Sequence, residues 1–228
     1  MFKNIIVAID GPAGSGKSTS AKLVAQKLGF LYIDTGAMYR AITLLSLKKK
    51  LQDKKKIVEL AEKTDLQLIF DKGNTEVIAD GVNITGEIRS HEVNAKVSEI
   101  SRIEGVRKAL VKKQRKYALK HAGIVMEGRD IGTIVFPDAD VKIFLTAGLD
   151  QRVERRTKDY ESSGIKIPVE NIKENLIKRD RIDSTREISP LTKAPDAVEI
   201  DTSFVTIEEQ VELILNEVRK KEKFSKSS

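Results

Sequence analysis

Short continuous apolar blocks alternate along this chain with stretches where apolar residues recur every three or four positions. The apolar run at residues 4–9 predicts a strand, and the helical spacing over 17–28 predicts an amphipathic helix after a glycine-rich loop. Strand, glycine loop and helix in that order are the opening of an α/β chain. The same spacing predicts helices over 37–48 and, after a charged break, 57–63. Between 66 and 85 the period changes to two. The segments 66–70, 76–79 and 82–85 alternate, and Asp71-Lys72-Gly73-Asn74 and Asp80-Gly81 separate them with turn residues. This predicts a small antiparallel meander inserted into a βαβ-like chain.

Helical spacing returns over 90–103 and 106–121. The apolar runs 123–126 and 141–145 predict buried parallel strands. An arginine-bearing helix is expected at 150–160, broken by Ser162-Ser163-Gly164, and another at 169–182. After an irregular stretch through Pro190 and Pro195 come a last strand at 197–200 and an amphipathic helix at 207–220, with a disordered tail at 225–228. There is no internal repeat.

The glycine loop carries the first chemistry. Gly11-Pro12-Ala13-Gly14-Ser15-Gly16-Lys17-Ser18 satisfies G-x-x-x-x-G-K-[ST] at every fixed position, between a predicted strand and a predicted helix. Its glycines let consecutive N–H groups point inward, and the helix N-terminus adds its dipole. Lys17 is placed for the β and γ phosphates, and the Ser18 hydroxyl for Mg²⁺. The motif implies a nucleoside triphosphate and leaves the acceptor open. A GTPase would carry N-K-x-D or T-K-x-D, and neither occurs; Thr192-Lys193-Ala194-Pro195 misses the aspartate by one place.

Composition narrows the choice. The chain has 228 residues, with Lys plus Arg 41 against Asp plus Glu 34, a formal charge of +7. That surplus suits either a nucleic-acid binder or an enzyme of phosphates. The basic runs 48–50, 54–56 and 219–221 have no interleaved aromatics, so they read as solvated faces rather than a stacking platform. Cysteine is absent, which removes disulfides, thiolate catalysis and sulfur-based zinc sites. His91 and His121, the two histidines, read as solvated or capping residues in helical segments. No membrane span or secretory leader is predicted, and the default compartment is the cytoplasm.

Phosphoryl transfer between two anions needs many cations. Arg40 opens a predicted helix, and Arg129 follows a predicted strand in Glu127-Gly128-Arg129-Asp130, where open parallel sheets bind ligands. Arg179, Asp183 and Arg186, spaced i, i+4, i+7, share one face if the helix runs that far. Arg152, Arg155 and Arg156 cluster on another helix, as in a lid closing over phosphates. A helical arginine is more often a solvated charge; it is the set beside a phosphate loop that points to function.

The stretches Ile9-Asp10-Gly11-Pro12-Ala13-Gly14-Ser15-Gly16-Lys17-Ser18-Thr19, Asp34-Thr35-Gly36-Ala37-Met38-Tyr39-Arg40, Val106-Arg107, Gly128-Arg129-Asp130-Ile131-Gly132-Thr133 and Arg179-Asp180-Arg181-Ile182-Asp183-Ser184 follow one another in a recognisable order. Taken together the chain resembles the bacterial cytidylate kinases, a branch of the nucleoside monophosphate kinases, over nearly its whole length. Adenylate kinase relatives lack the inserted meander. The resemblance implies a P-loop kinase fold: a parallel five-stranded sheet flanked by helices, a small antiparallel β insertion and a helical lid. Residues 1–35, 105–150 and 190–224 would form the core of a single kinase unit. The acceptor-binding region would span 36–104, with the insertion at about 66–86, and the lid 151–168.

The implied reaction moves the γ-phosphate of ATP, with Mg²⁺, to CMP or dCMP. By resemblance, residues 11–19 bind ATP, and Lys17, Arg129, Arg152 and Arg156 act on the transferring group. Thr35, Arg40, Arg129 and Arg186 would hold the acceptor phosphate; Ser98, Arg107 and Asp130 would read cytosine; Arg179 and Asp183 would contact the sugar. Thr35 stands where many members have Ser, and Glu127 where some have Asp. The expected partners are these nucleotides, without nucleic acid or membrane, and the expected state is a monomer. The competing readings are a kinase of UMP, AMP or a non-nucleotide acceptor, a nucleic-acid-stimulated ATPase, and a silent nucleotide-binding module.

Overall fold

The computed structural model describes residues 5–71, 73–118, 121–162, 164 and 166–225. In chain order the elements are β1 (Ile5–Asp10), α1 (Lys17–Leu28), β2 (Leu31–Asp34), α2 (Thr35–Lys48), α3 (Lys54–Lys63), β3 (Leu66–Asp71), β4 (Asn74–Ala79), β5 (Val82–Asn83), α4 (His91–Ile100), α5 (Glu104–Ala118), β6 (Gly123–Gly128), β7 (Val141–Thr146), α6 (Leu149–Ser162), α7 (Val169–Thr185), β8 (Val198–Asp201) and α8 (Ile207–Ser225). A π-helical turn, Ile131–Val135, follows β6.

Five strands form a parallel sheet in the order β2-β6-β1-β7-β8. The chain leaves β1 toward β2 and later returns past it to β7, so the order reverses at the carboxyl end of β1. That is where an open α/β sheet leaves a crevice. Alternation on β1 sends Ala8 to one face and Val7 and Ile9 to the other. The first face packs against α2, α4, α5 and the meander, and the second against α1 and α8. A third, smaller cluster joins Val153 of α6 to Ile172 and Leu176 of α7, and it closes on Ala13 of the phosphate loop.

The predicted meander is a separate three-stranded antiparallel sheet, β3-β4-β5. It is not a free-standing body. Leu66, Leu68, Val77 and Ala79 lie in the same core as α2, and Phe70 meets Tyr32 of β2 edge-on at 5.2 Å. The Tyr117 hydroxyl accepts from Leu68 N at 2.9 Å and donates to Leu66 O at 3.0 Å, covering the β3 edge from α5.

Four expectations need correction. The strand β2 was not anticipated: it is four residues long and begins just after Gly29, whose φ of 67° ends α1. Helix α7 stops at Thr185 and Arg186 is extended, so Arg186 leaves the helix face carrying Arg179 and Asp183. Ser225 is helical, and 226–228, the rest of the expected tail, lie outside the described residues, as do Ser163 of the expected lid break and Lys72 of the expected turn. His121 is exposed and outside any helix, while His91 is exposed in the first turn of α4.

Candidate active site

The phosphate loop links β1 to α1 at the crevice. Gly11 has φ 148°, and a Cβ there would lie 2.1 Å from Leu145 O of β7, so only glycine lets the loop start this close to the sheet. Gly16, at φ 85°, caps α1 without a side-chain acceptor, which leaves the first amides of the helix open to an anion. Ser18 and Thr19 are exposed on that first turn.

Inward N–H groups force the loop's carbonyls outward, and four consecutive ones meet a side-chain donor. Lys17 Nζ donates to Pro12 O at 2.6 Å, Arg152 to Ala13 O at 3.3 Å, Arg155 to Gly14 O at 3.3 Å, and the Thr202 hydroxyl to Ser15 O at 3.1 Å. Lys17 is buried, and burial above all pushes its pKa down to about 7; Arg129 adds to the fall, while Glu127 and Asp10 oppose it. Asp10, at the end of β1, accepts from Ile131 N at 2.8 Å and Gly132 N at 2.7 Å, fixing the π turn against the loop's own strand. Burial raises its carboxyl to about 6 against the pull of those two amides.

A second group of charged side chains comes from the ends of β2 and β6, from α2, α5 and the C-terminal part of α7. Asp34 caps α2, accepting from Ala37 N at 2.9 Å, and pairs with Arg40 at 2.7 Å and Arg89 at 3.6 Å. Burial would raise the Asp34 pKa, but the arginines and the amide outweigh it and hold it low. The Thr35 hydroxyl donates to Glu127 O at 2.7 Å. Arg129 pairs with Asp183 at 2.9 Å. Burial pushes the Asp183 carboxyl up, yet Arg129 and Arg179 leave it below its ordinary value. Arg186 stands 3.8 Å from Asp183 and donates to Ser189 O at 2.5 Å.

Arg107 and Asp130, 23 positions apart in sequence, form a buried ion pair. Arg107 also donates to Ser101 O at 3.2 Å, and its guanidinium lies over the Tyr39 ring at 5.3 Å. Ser98 is half-buried on α4, nine positions before Arg107; its hydroxyl bonds to nothing among the described residues, and its carbonyl accepts from Ser101 Oγ. Arg179 is half-buried, and its guanidinium likewise makes no hydrogen bond among the described residues. Burial first, then Arg129, lowers its pKa to about 10.

The three expected lid arginines separate. Arg152 is buried between Ala13 O and Asp180, which it meets at 2.5 Å. Arg155 bonds Thr202 as well as Gly14. Arg156 alone among them stays off the loop, lying over Tyr160 at 4.8 Å and pairing with Asp159 at 3.5 Å.

Among the described residues no cluster of three or more His, Cys, Asp or Glu is arranged to hold a metal. Asp34 and Asp130 are engaged by arginines, and both oxygens of Asp10 by amides. Glu127 is freer, accepting from Tyr32 OH at 2.7 Å through one oxygen. An exposed Ser18 hydroxyl and one carboxylate are a sparse set of hard oxygen donors. Such a set fits Mg²⁺, which dehydrates reluctantly and is held mainly through phosphates and water.

Sequence reading missed Thr202, Asp10 and Tyr39. Asp10 sits inside the recognised stretch, and Tyr39 beside Arg40, so position could have flagged both; Thr202 carries no local signal.

Comparison with known proteins gives a family. The family described as cytidylate kinase matches residues 7–220. A cytidylate kinase of Caldanaerobacter subterraneus is 49% identical over 219 residues, covering 95% of this chain and 96% of that one. A cytidylate kinase of Bacillus subtilis is 45% identical over 223 residues, covering 97% and 99%. Among solved structures, a gluconokinase from Sinorhizobium meliloti superposes with TM-score 0.50 at 12% identity, covering 100% of this chain and 99% of that one, a likeness of fold.

Proposed function

The chain belongs to the cytidylate kinase family, and from that premise we propose that it moves the γ-phosphoryl group of ATP in line to CMP and dCMP, giving CDP and dCDP. The observation that carries the reading is the buried pair of Arg107 on α5 with Asp130, which follows Arg129 directly after β6 and precedes the turn that Asp10 ties to the phosphate-loop strand.

Residues 11–19 hold the ATP phosphates, with Lys17 on the β and γ groups. Thr35, Arg40, Arg129 and Arg186 hold the acceptor phosphate, and Arg179 and Asp183 the sugar. Asp130 and Ser98 accept from the cytosine N4 amino group, and Arg107 donates to O2 or N3. Uracil presents a carbonyl where N4 would be, so the acceptors lose their partner at about 1–3 kcal/mol. Arg129, Arg152 and Arg156 gather positive charge around the transferring group, and closure of 151–168 excludes water. Residues 36–104 carry the acceptor-binding region. Mg²⁺, held by Ser18 and a carboxylate of which Glu127 is the least engaged, supplies charge neutralisation on the phosphates when bound.

Transfer is direct: cysteine is absent from the chain, and His91 and His121 are exposed. Positioning and charge then supply the rate enhancement. The proposed working state is a monomer in the cytoplasm. An ADP-release assay with MgATP over CMP, dCMP, UMP, AMP and non-nucleotide acceptors tests the proposal. CMP and dCMP should drive release; failure of CMP, or a better acceptor outside the cytidine nucleotides, would overturn it.

A further inference from the structure

We propose that Thr202, at the carboxyl end of β8, is a positioning residue for the phosphate loop, acting with Arg155 to hold the loop's outer carbonyls so that its amides stay aimed at the nucleotide. The inference rests on the phosphate loop binding ATP, as proposed above, and concerns what keeps that loop in shape.

Thr202 is fully buried, so it touches no nucleotide. All its polar groups are nevertheless engaged. Its N–H donates to Thr146 O of β7 at 2.8 Å. Its hydroxyl stands 3.1 Å from Ser15 O and 2.9 Å from Thr146 O, and accepts from Arg155 at 2.9 Å. A hydroxyl has one hydrogen, so the loop carbonyl and the β7 carbonyl share it. The Thr202 carbonyl accepts a second bond from the same guanidinium. Arg155 completes the circuit by donating to Gly14 O.

One side chain therefore joins the ends of β7 and β8, helix α6 and the loop. The four outer carbonyls of residues 12–15 are not equally secured. Lys17 and Arg152 cap the first two, and both belong to the reacting charge, so their contacts can be exchanged for phosphate. Thr202 and Arg155 cap the other two from outside the cleft and have no such second use. If Ser15 O lost its donor in this buried setting, the peptide could rotate to find another partner. Its amide face would turn with it, away from the anion.

The β-branched methyl of threonine explains why Val and Ser bracket the test. Thr202→Val keeps the shape and removes the hydroxyl; Thr202→Ser keeps the hydroxyl. With MgATP and CMP as substrates, Thr202→Val should raise KM for ATP roughly tenfold, as expected for one lost buried hydrogen bond. KM for CMP should move less than twofold, and Thr202→Ser should return KM for ATP to within about twofold of the parent. If Thr202→Val does not fold, Arg155→Gln carries the same expectation. Unchanged KM for ATP in a folded variant, equal rises in both KM values, or failure of the Ser rescue would overturn the proposal. Loss of the parent's ATP-dependent CMP phosphorylation would instead overturn the functional reading, and the parent enzyme measured alone separates the two.

Discussion

The donor loop and the acceptor wall face the same crevice but handle charge in opposite ways. On the acceptor side the cations are balanced by carboxylates: Arg40 by Asp34, Arg107 by Asp130, Arg129 by Asp183. On the donor side Lys17 has a backbone carbonyl for a close partner, and burial lowers its pKa to about 7. One half holds its charge in ion pairs, and the other sheds charge as its buried lysine loses a proton near neutral pH. The scaffolds differ in the same way. The donor cradle is backbone, braced by side chains behind it. The acceptor wall is side chain, and a CMP phosphate must compete with carboxylates already in place. That competition favours a ligand able to satisfy both the freed arginines and the freed carboxylates, which cytosine with its amino group and ring acceptors does.

The contrast can be broken most forcefully at Lys17. Lys17→Ala should lower kcat by roughly 10³-fold with the fold retained, because Lys17 belongs to none of the hydrophobic clusters that hold the sheet and helices together. Circular dichroism and steady-state rates check this; a fully active variant would remove Lys17 from the site. A smaller but sharper effect concerns its proton. With burial pushing its pKa down to about 7, Lys17 is expected to be largely neutral at pH 8 and to regain its charge on a bound polyphosphate, so that binding should take protons up. Calorimetry of ADP binding at pH 8, in buffers of different ionisation enthalpy, should show uptake approaching one proton per nucleotide. Uptake should decline toward pH 6, where the lysine already carries its charge. No uptake at pH 8 would mean that both sides hold charge alike.

How far this division was legible in the sequence follows from the range of each interaction. The phosphate loop is local: eight consecutive residues dictate the turn, the helix start and the lysine, so the motif alone located the donor side. The meander was legible because turn residues and a period of two mark it, although its docking on Tyr32 and α2 was not. β2 escaped because four residues between a glycine cap and a helix give too short a pattern; packing against β6 defines it. The lid arginines are visible in the sequence as a set, but helical spacing does not reveal that Arg155 turns to Thr202 while Arg156 lies on Tyr160. Thr202 meets Ser15 across 187 positions, and nothing near either residue announces that contact.

The central claim is that a buried carboxylate on the acceptor wall selects cytosine, and the Asp130→Asn variant tests it most directly. An asparagine can offer its amide N–H to the uracil carbonyl while conserving side-chain volume. The measurement is kcat/KM for CMP and UMP, with MgATP saturating, in parent and variant. The parent should favour CMP clearly, and the variant should lose about tenfold or more of that preference, within the ~1–3 kcal/mol expected for one mismatched hydrogen-bonding group. A folded variant with the parent's CMP-to-UMP ratio would contradict the account.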